Sequence, residues 1–314
     1  MGWTTKDIPD LTGRVAVVTG ANGGLGYETA RELARKGAHV VMAARDTAKA
    51  AQARGSILAE IPNASLELQR LDLASLDSVR QAAAEILTRH DVIDLLVNNA
   101  GVMGVPEQGT VDGFEMQLGT NHLGHFALTA LLLPALLRSP GARVIAVTST
   151  GRHFGRPVDP ANPHLHGSYG PWRAYGQSKL ANVHFALELQ RRLVAAGVPA
   201  QSLVVHPGFT HTDLQARSVR ETEGGASQRF FHDSVQRFGM SPARGALTLL
   251  RAATDPAASG GQLYTPRYVN WGPPVQRPLF GRSRNRAAMS TLWKVSERET
   301  GITFDVAVIR DETR

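Results

Sequence analysis

Cysteine is absent from the 314 residues, so the chain has no disulfide framework and no thiolate metal site. A reduced compartment suits such a chain, and a cytoplasmic location is expected. The opening segment MGWTTKDIPDLTG has no apolar stretch and does not read as a signal peptide. Long hydrophobic runs are missing too. The longest, over 126–137, has 12 residues and contains Pro134. Spanning a bilayer takes about 20, so no membrane span is expected and the run reads as a buried helix. There is no HExxH and no Cys/His framework. The pairs His122/His125 and His164/His166 match no ligand motif, and no metal is expected. Charge is not blocked into runs. Lys and Arg number 34 against 27 Asp and Glu, a net +7, but the basic residues are scattered, which argues against a nucleic-acid partner.

What the chain does have is a specific use of glycine. Residues 14–19 read RVAVVT, an apolar, β-branched run suited to a strand buried on both faces of a parallel sheet. It leads into TGANGGLG and then LGYETARELARKG, where Leu25, Thr29, Leu33 and Lys36 fall near helical spacing and Gly37 is a stop. Strand, glycine turn and helix in that order make a phosphate cradle. Gly20 turns the chain off the strand, Gly24 clears a side chain from the phosphate, and Gly26 lets the helix pack close. The helix N-terminus then offers N–H groups and a positive dipole end to a dinucleotide pyrophosphate. A second strand over 39–44 ends in Arg45 and Asp46. An acid directly after this strand would read a ribose 2′-hydroxyl. The Arg45 guanidinium suits a 2′-phosphate instead, which favours NADP(H) over NAD(H). Gly23 adds no polar side chain to that contact.

Residues 172–194 form an amphipathic helix by the spacing of Leu180, Val183, Ala186, Leu187 and Leu193. Tyr175 and Lys179 stand at i and i+4 and project from one face. A free phenol titrates near ~10, and a nearby ammonium lowers that value, so the pair can pass a proton to or from a carbonyl oxygen. Three further strands, over 94–101, 142–149 and 204–208, end in polar or Pro-Gly turns. Ligands of open α/β sheets bind at such carboxyl ends. The expected fold is one α/β domain over 1–272, a doubly wound (Rossmann) parallel sheet flanked by helices.

In order along the chain stand TGANGGLG, LDL at 71–73, NNAG at 98–101, Asn121 within TNHLGHF, VTST at 147–150, YGQSKLANV and HPGFTHT. From about residue 11 to 264 this resembles the short-chain dehydrogenase/reductases of the single-domain TGxxxGxG and YxxxK type. YGQSKLANV, AARD and TNHLGHF are most similar to the retinol-dehydrogenase-like branch, which includes the WW-domain oxidoreductases. The resemblance implies roles. Tyr175 would be general acid in reduction and base in oxidation. Lys179 would lower the Tyr175 pKa and bind the nicotinamide ribose, Ser149 would bind the substrate oxygen, and Asn121 would hold a water reaching Lys179. Asp72 would meet the adenine amine, with Asn99, Ala100 and Gly101 along the adenosine. Pro207, Gly208 and Thr212 would meet the nicotinamide end, and Asn22, Leu25, Leu73 and Thr210 complete the cofactor set. Residue by residue, Asn121 also reads as a tie between backbone segments, Ser149 as a strand-end cap, and Asp72 as a turn residue.

The expected activity is hydride transfer between NADP(H) and a small-molecule carbonyl or alcohol. The alternatives are a non-catalytic NADP(H) sensor or other chemistry on the same fold. Val102 to Pro106, His153, Phe154, Trp172, Phe209, Phe230 and Phe231 are candidate pocket residues for an apolar substrate, retinoid-like, steroid-like or a xenobiotic ketone. A lid is expected over 209–240. A Pro- and Arg-rich extension over 273–314, packed on the domain or partly flexible, carries a helix near 286–298. The apolar run 126–133 exceeds what one helix face buries, so a homodimer or homotetramer is expected on the helices near 121–137 and 172–194.

Overall fold

The computed structural model describes residues 2–211, 219 and 225–312. Eight strands form one sheet in the order β3-β2-β1-β4-β5-β6-β7-β8. They are β1 Val15–Thr19, β2 His39–Ala44, β3 Leu66–Arg70, β4 Leu95–Asn98, β5 Arg143–Val147, β6 Gln201–Val205, β7 Leu263–Pro266 and β8 Pro274–Arg277. Neighbours pair in parallel from β3 through to β7, and β8 closes the edge antiparallel to β7. Strand order reverses between β1 and β4, so a crevice opens outside their carboxyl ends.

Helices cover both faces, as a sheet of β-branched strands buried on both sides requires. One face packs Ala30 and Leu33 of helix Gly24–Arg35 with Ala246, Leu249 and Leu250 of helix Pro242–Thr254. The other face packs helices Leu76–Arg89, Gly124–Leu137 and Pro171–Ala195. Helix starts follow local chemistry. Asp46 accepts from Lys49 N at the head of Thr47–Glu60, and Ser75 accepts from Ser78 N at the head of Leu76–Arg89.

The residues after 273 are part of this architecture. β8 pairs Val275 with Thr265. Helices Arg286–Thr300 and Val306–Glu312 lie on the Gly124–Leu137 and Pro171–Ala195 pair, with Leu292, Trp293, Val295, Phe304 and Val306 buried in the same core. Phe126 meets Trp293 at 5.2 Å and Phe304 at 5.3 Å between ring centroids. The apolar run that called for a second subunit is therefore covered by the chain itself. All of Phe126–Leu133 is buried except Leu131, which is half-buried. Among the described residues, no helix is long and apolar enough to cross a membrane.

Candidate active site

The crevice at the β1/β4 reversal is a cleft of about 530 Å³ lined by the glycine turn, the end of β2, Leu71 to Leu73 and Asn99 to Val102. Gly20 holds a left-handed φ of +67°, which carries the chain off β1. A Cβ on Gly26 would stand 2.2 Å from the Gly20 carbonyl oxygen and 2.7 Å from Asn99 Nδ2. So the close approach foreseen for Gly26 is to the turn itself, at the end of the strand. Helix Gly24–Arg35 starts without a side-chain cap and has no acid in its first turn. Its N–H groups and dipole thus face the cleft with no competing carboxylate, and the cradle fits a pyrophosphate. Asn22, Gly24 and Leu25 line it.

Arg45 and Lys49 are exposed on the cleft wall beside Gly23. Arg45 makes no ion pair or side-chain hydrogen bond among the described residues. Asp46, the next residue, uses Oδ1 to accept from Lys49 N at 3.0 Å. Lys49 is a cleft cation that the strand-end pattern did not reveal. Asp72 and Leu73 also line the cleft. Asp72 is a turn residue as well, since its Oδ1 accepts from Ala74 N at 3.0 Å.

Thr19 ties the cleft floor together. Its Oγ1 accepts from the backbone N–H of Asn99 at 2.9 Å and of Ala100 at 3.0 Å, and Asn99 Nδ2 donates to Thr19 O at 2.8 Å. His125 sits behind it, 2.9 Å from Thr19 Oγ1 through Nε2 and 3.0 Å from Asn121 O through Nδ1. Burial pushes the imidazole down to about 4, so it is neutral. Nδ1–H then donates to Asn121 and Nε2 accepts from Thr19, which fixes the tautomer. In the sequence His125 stands only in a histidine pair that matches no ligand motif. Its partners lie 106 residues away and within one helical turn, a pattern no local motif displays.

Tyr175 and Lys179 lie in the first turns of Pro171–Ala195, both buried, with Lys179 Nζ 5.7 Å from the phenol ring centroid. Lys179 Nζ donates to Val147 O at 3.4 Å, and Thr148 Oγ1 donates to Lys179 O at 2.6 Å, so the helix is pinned to the end of β5. Asn182 adds a bond from Nδ2 to Val147 O at 2.9 Å. Ser149 follows directly. Its hydroxyl caps a 3-10 turn by accepting from Gly151 N at 3.2 Å and lies on the Tyr175 side of the loop.

One expectation changes here. Burial pushes Tyr175 up to about 12, with the nearby Ser149 hydroxyl as the opposing influence, and it pushes Lys179 down to about 8. Losing water outweighs the attraction of a neighbouring ammonium that is itself desolvated. Asn121 is held by its neighbours. Its Oδ1 accepts from Val102 N at 2.7 Å, and its Nδ2 donates to Val102 O and Ser178 Oγ, each at 2.9 Å. The side chain is a tie between segments, which is the residue-level reading of that position. It stands in a π-helical turn, Gly119–Leu123.

At the far side, Gly208 has φ +81°. Thr210 Oγ1 donates to Pro207 O at 3.2 Å, and a Cβ on Gly245 would meet that hydroxyl at 2.5 Å and Leu25 at 2.8 Å, so the turn after β6 closes toward the glycine helix. Thr212 lies outside the described residues, as do the side chains of Phe230 and Phe231. Val102, Met103 and Val105 are buried, Trp172 packs on Tyr175 at 6.2 Å, and Phe209 packs on Trp271 at 6.0 Å. His153 and Phe154 face solvent.

A polar wall beside Ser149 was not foreseen. Arg152 is 6% exposed, and its Nη1 donates to Ser149 O at 3.0 Å. Among the described residues its guanidinium has no carboxylate partner, and its Nε, both ring nitrogens of His206 and Asn270 Oδ1 make no hydrogen bond.

A profile described as short chain dehydrogenase matches residues 14–223. The chain belongs to the short-chain dehydrogenases. It is an NAD(P)-dependent oxidoreductase of that family, acting on alcohols or carbonyls. It is 38% identical to mouse retinol dehydrogenase 11 over 97% of this chain and 91% of that protein, and 42% identical to mouse polyprenol dehydrogenase over 94% and 86%. Among solved structures, an uncharacterised protein from Mycobacterium paratuberculosis is 41% identical with a TM-score of 0.80, covering 97% of this chain and 99% of that one. A short chain dehydrogenase from Escherichia coli CFT073 complexed with NADPH shares the fold at 23% identity and TM-score 0.62, covering 81% and 97%. The retinol-dehydrogenase-like branch read from the motifs is the one these relatives occupy.

Proposed function

We propose that this short-chain dehydrogenase uses NADP(H) to interconvert an apolar alcohol and its aldehyde or ketone. The observation that carries the chemistry is the meeting of half-buried Ser149 with buried Tyr175 and Lys179 beside the cleft. Arg45 supports the phosphate preference, because its guanidinium is exposed on the cleft wall with no acid holding it. Val102, which lines the cleft, supports an apolar substrate, as do relatives whose names specify retinol and polyprenol.

Bound in this cleft, a reduced nicotinamide supplies the hydride. Ser149 donates its hydroxyl to the carbonyl oxygen and orients it. Tyr175 gives that oxygen its proton, and burial keeps the phenol protonated at neutral pH, as a general acid requires. Lys179, still mostly charged at pH 7, stabilises the phenolate left behind. Asn121 and His125 hold the glycine turn, residue 102 and the catalytic helix in fixed relation. A screen of apolar alcohols, aldehydes and ketones, following nicotinamide absorbance, tests the reading. Turnover confined to small polar carbonyls would overturn the substrate class.

Arg152 favours a second reading, in which the substrate carries a carboxylate near its carbonyl. A buried guanidinium without a counter-ion is costly unless an anion meets it. For an oxo acid and its methyl ester, Arg152→Met would then raise KM for the acid alone. Equal effects on both would remove this reading.

A further inference from the structure

We propose that His39, Glu67 and His90 form a binding site for one divalent transition-metal ion of the zinc class, at the end of the sheet opposite the cleft. His39 opens β2, Glu67 is the second residue of β3, and His90 is the C-cap of helix Leu76–Arg89. One ligand atom from each lies within 4.8 Å of the others. Both imidazoles aim Nε2 at the same carboxylate oxygen, Glu67 Oε2, from 3.3 Å for His39 and 2.8 Å for His90.

His39 is the deciding residue. Its Nδ1 is 2.7 Å from Ser65 Oγ, a tighter contact than the one its Nε2 makes with Glu67. The Ser65 hydroxyl either donates to Nδ1, leaving Nε2–H to donate to Glu67, or accepts from Nδ1–H; in the second tautomer Nε2 and Oε2 turn two lone pairs toward each other. A cation between them resolves that contact. Tetrahedral zinc bonds of about 2.0–2.2 Å place its ligand atoms roughly 3.3 Å apart, which His39 and Glu67 already satisfy. His90 needs to move about half an ångström from Glu67 Oε2, and the two Nε2 atoms, within 4.8 Å of each other, need to settle at the same ~3.3 Å.

The surroundings suit a metal site. Ser65 orients the first imidazole, as outer hydrogen bonds do for metal-bound histidines. Arg89 Nε pairs with Glu67 Oε1 as an ion pair at 2.6 Å, on the side of the carboxylate away from Oε2. Arg89 Nη2 donates to Gln69 Oε1 at 2.5 Å, so the guanidinium is anchored to one side. The three side chains are 30%, 21% and 12% exposed in chain order, which leaves room for a water as fourth ligand. With histidine and carboxylate as donors and no thiolate, the ligand set suits zinc, cobalt, nickel or copper and not calcium or magnesium. The site joins the outermost strand β3 to its neighbour and to the end of a core helix. A bound ion would clamp that edge of the sheet.

The test uses the full chain stripped with a chelator. Titration with zinc chloride by calorimetry is expected to show one equivalent binding at micromolar or tighter affinity. His39→Gln and His90→Gln should each weaken it by about tenfold or more. Zinc should raise the melting temperature of the wild type and not that of the double variant, while oxidoreductase turnover stays at the wild-type level in both. Affinity unchanged in the double variant, or no binding below millimolar zinc, overturns the site. If the variants fail to fold, cobalt in the wild type decides. Visible bands of tetrahedral intensity support the site, and the pale spectrum of octahedral cobalt overturns it.

Discussion

Tyr175 and Lys179 each lose water on folding, and their titrations move apart in ways that can be measured separately. Replacing Tyr175 by Phe keeps the ring and its contact with Trp172 but removes the acid. Cofactor affinity should hardly change, and turnover should fall by about 10²-fold or more, measured where chemistry limits the rate. Retention of more than about a third of the turnover would place the proton on another group. Lys179 makes a stability prediction. Its folded pKa, about 8, lies below the unfolded value near 10.5, so the unfolded chain binds the extra proton between them. Stability of the cofactor-free protein should rise as pH goes from about 8 toward 10, by up to roughly 3 kcal/mol from this residue alone. Urea titrations of wild type and Lys179→Met check it; the rise should vanish in the variant. Tyr175 acts oppositely only above about pH 10, because its folded pKa is raised. At the cleft rim, Arg45→Ala should narrow a preference for NADPH over NADH by about 1–2 kcal/mol, read by fluorescence titration of both cofactors.

The element that makes the cofactor cradle is tuned at some glycines and slack at others. Gly26→Ala drives a methyl into the Gly20 carbonyl, within 2.2 Å, and should cost about 1–3 kcal/mol of stability along with most cofactor binding. Gly23→Ala meets nothing within 4 Å in an extended conformation and should leave both intact. Thermal melts with and without NADPH separate the two. Elements of this kind were legible because their signals are local. The run before Gly20, the helical spacing after it, and the i, i+4 pair on Pro171–Ala195 all fall within one strand or helix. Arg152 was not legible. Its position after Ser149 looks like a solvated turn, and only the packing of β6 and the loop at Asn270 makes it a buried cation. The same holds for His39, Glu67 and His90, which come from three separate elements.

At the scale of the whole molecule, the segment after residue 273 changes what the core means. Its Pro- and Arg-rich composition gave no amphipathic repeat strong enough to mark it as core, yet Trp293 is 1% exposed and Phe304 fully buried. Arg192 stacks its guanidinium 4.2 Å from the Trp293 ring, and His122 Nε2 lies 2.7 Å from Ser296 Oγ. The face expected to carry a second subunit is occupied. A full-length chain should therefore show no association through the Gly124–Leu137 and Pro171–Ala195 helices in light scattering at micromolar concentration. Trp293→Ala should cost about 3–5 kcal/mol, as for other large buried aromatics, and should promote self-association by baring Phe126 and Phe185. A dimer seated on these helices in the wild type would contradict this.

That cover also sets an order of events in time. His122 and its partner Ser296 are separated by 174 residues. During synthesis the Rossmann strands and the catalytic helix emerge long before the helices that roof them. The aromatic cluster around Phe126 must wait, exposed, while the remaining chain is made at about 5–20 residues per second. The nascent protein passes through a stage with its cleft strands in place and one apolar flank open. Ribosome-stalled chains ending near residue 280 should be the ones that recruit holdase chaperones most strongly.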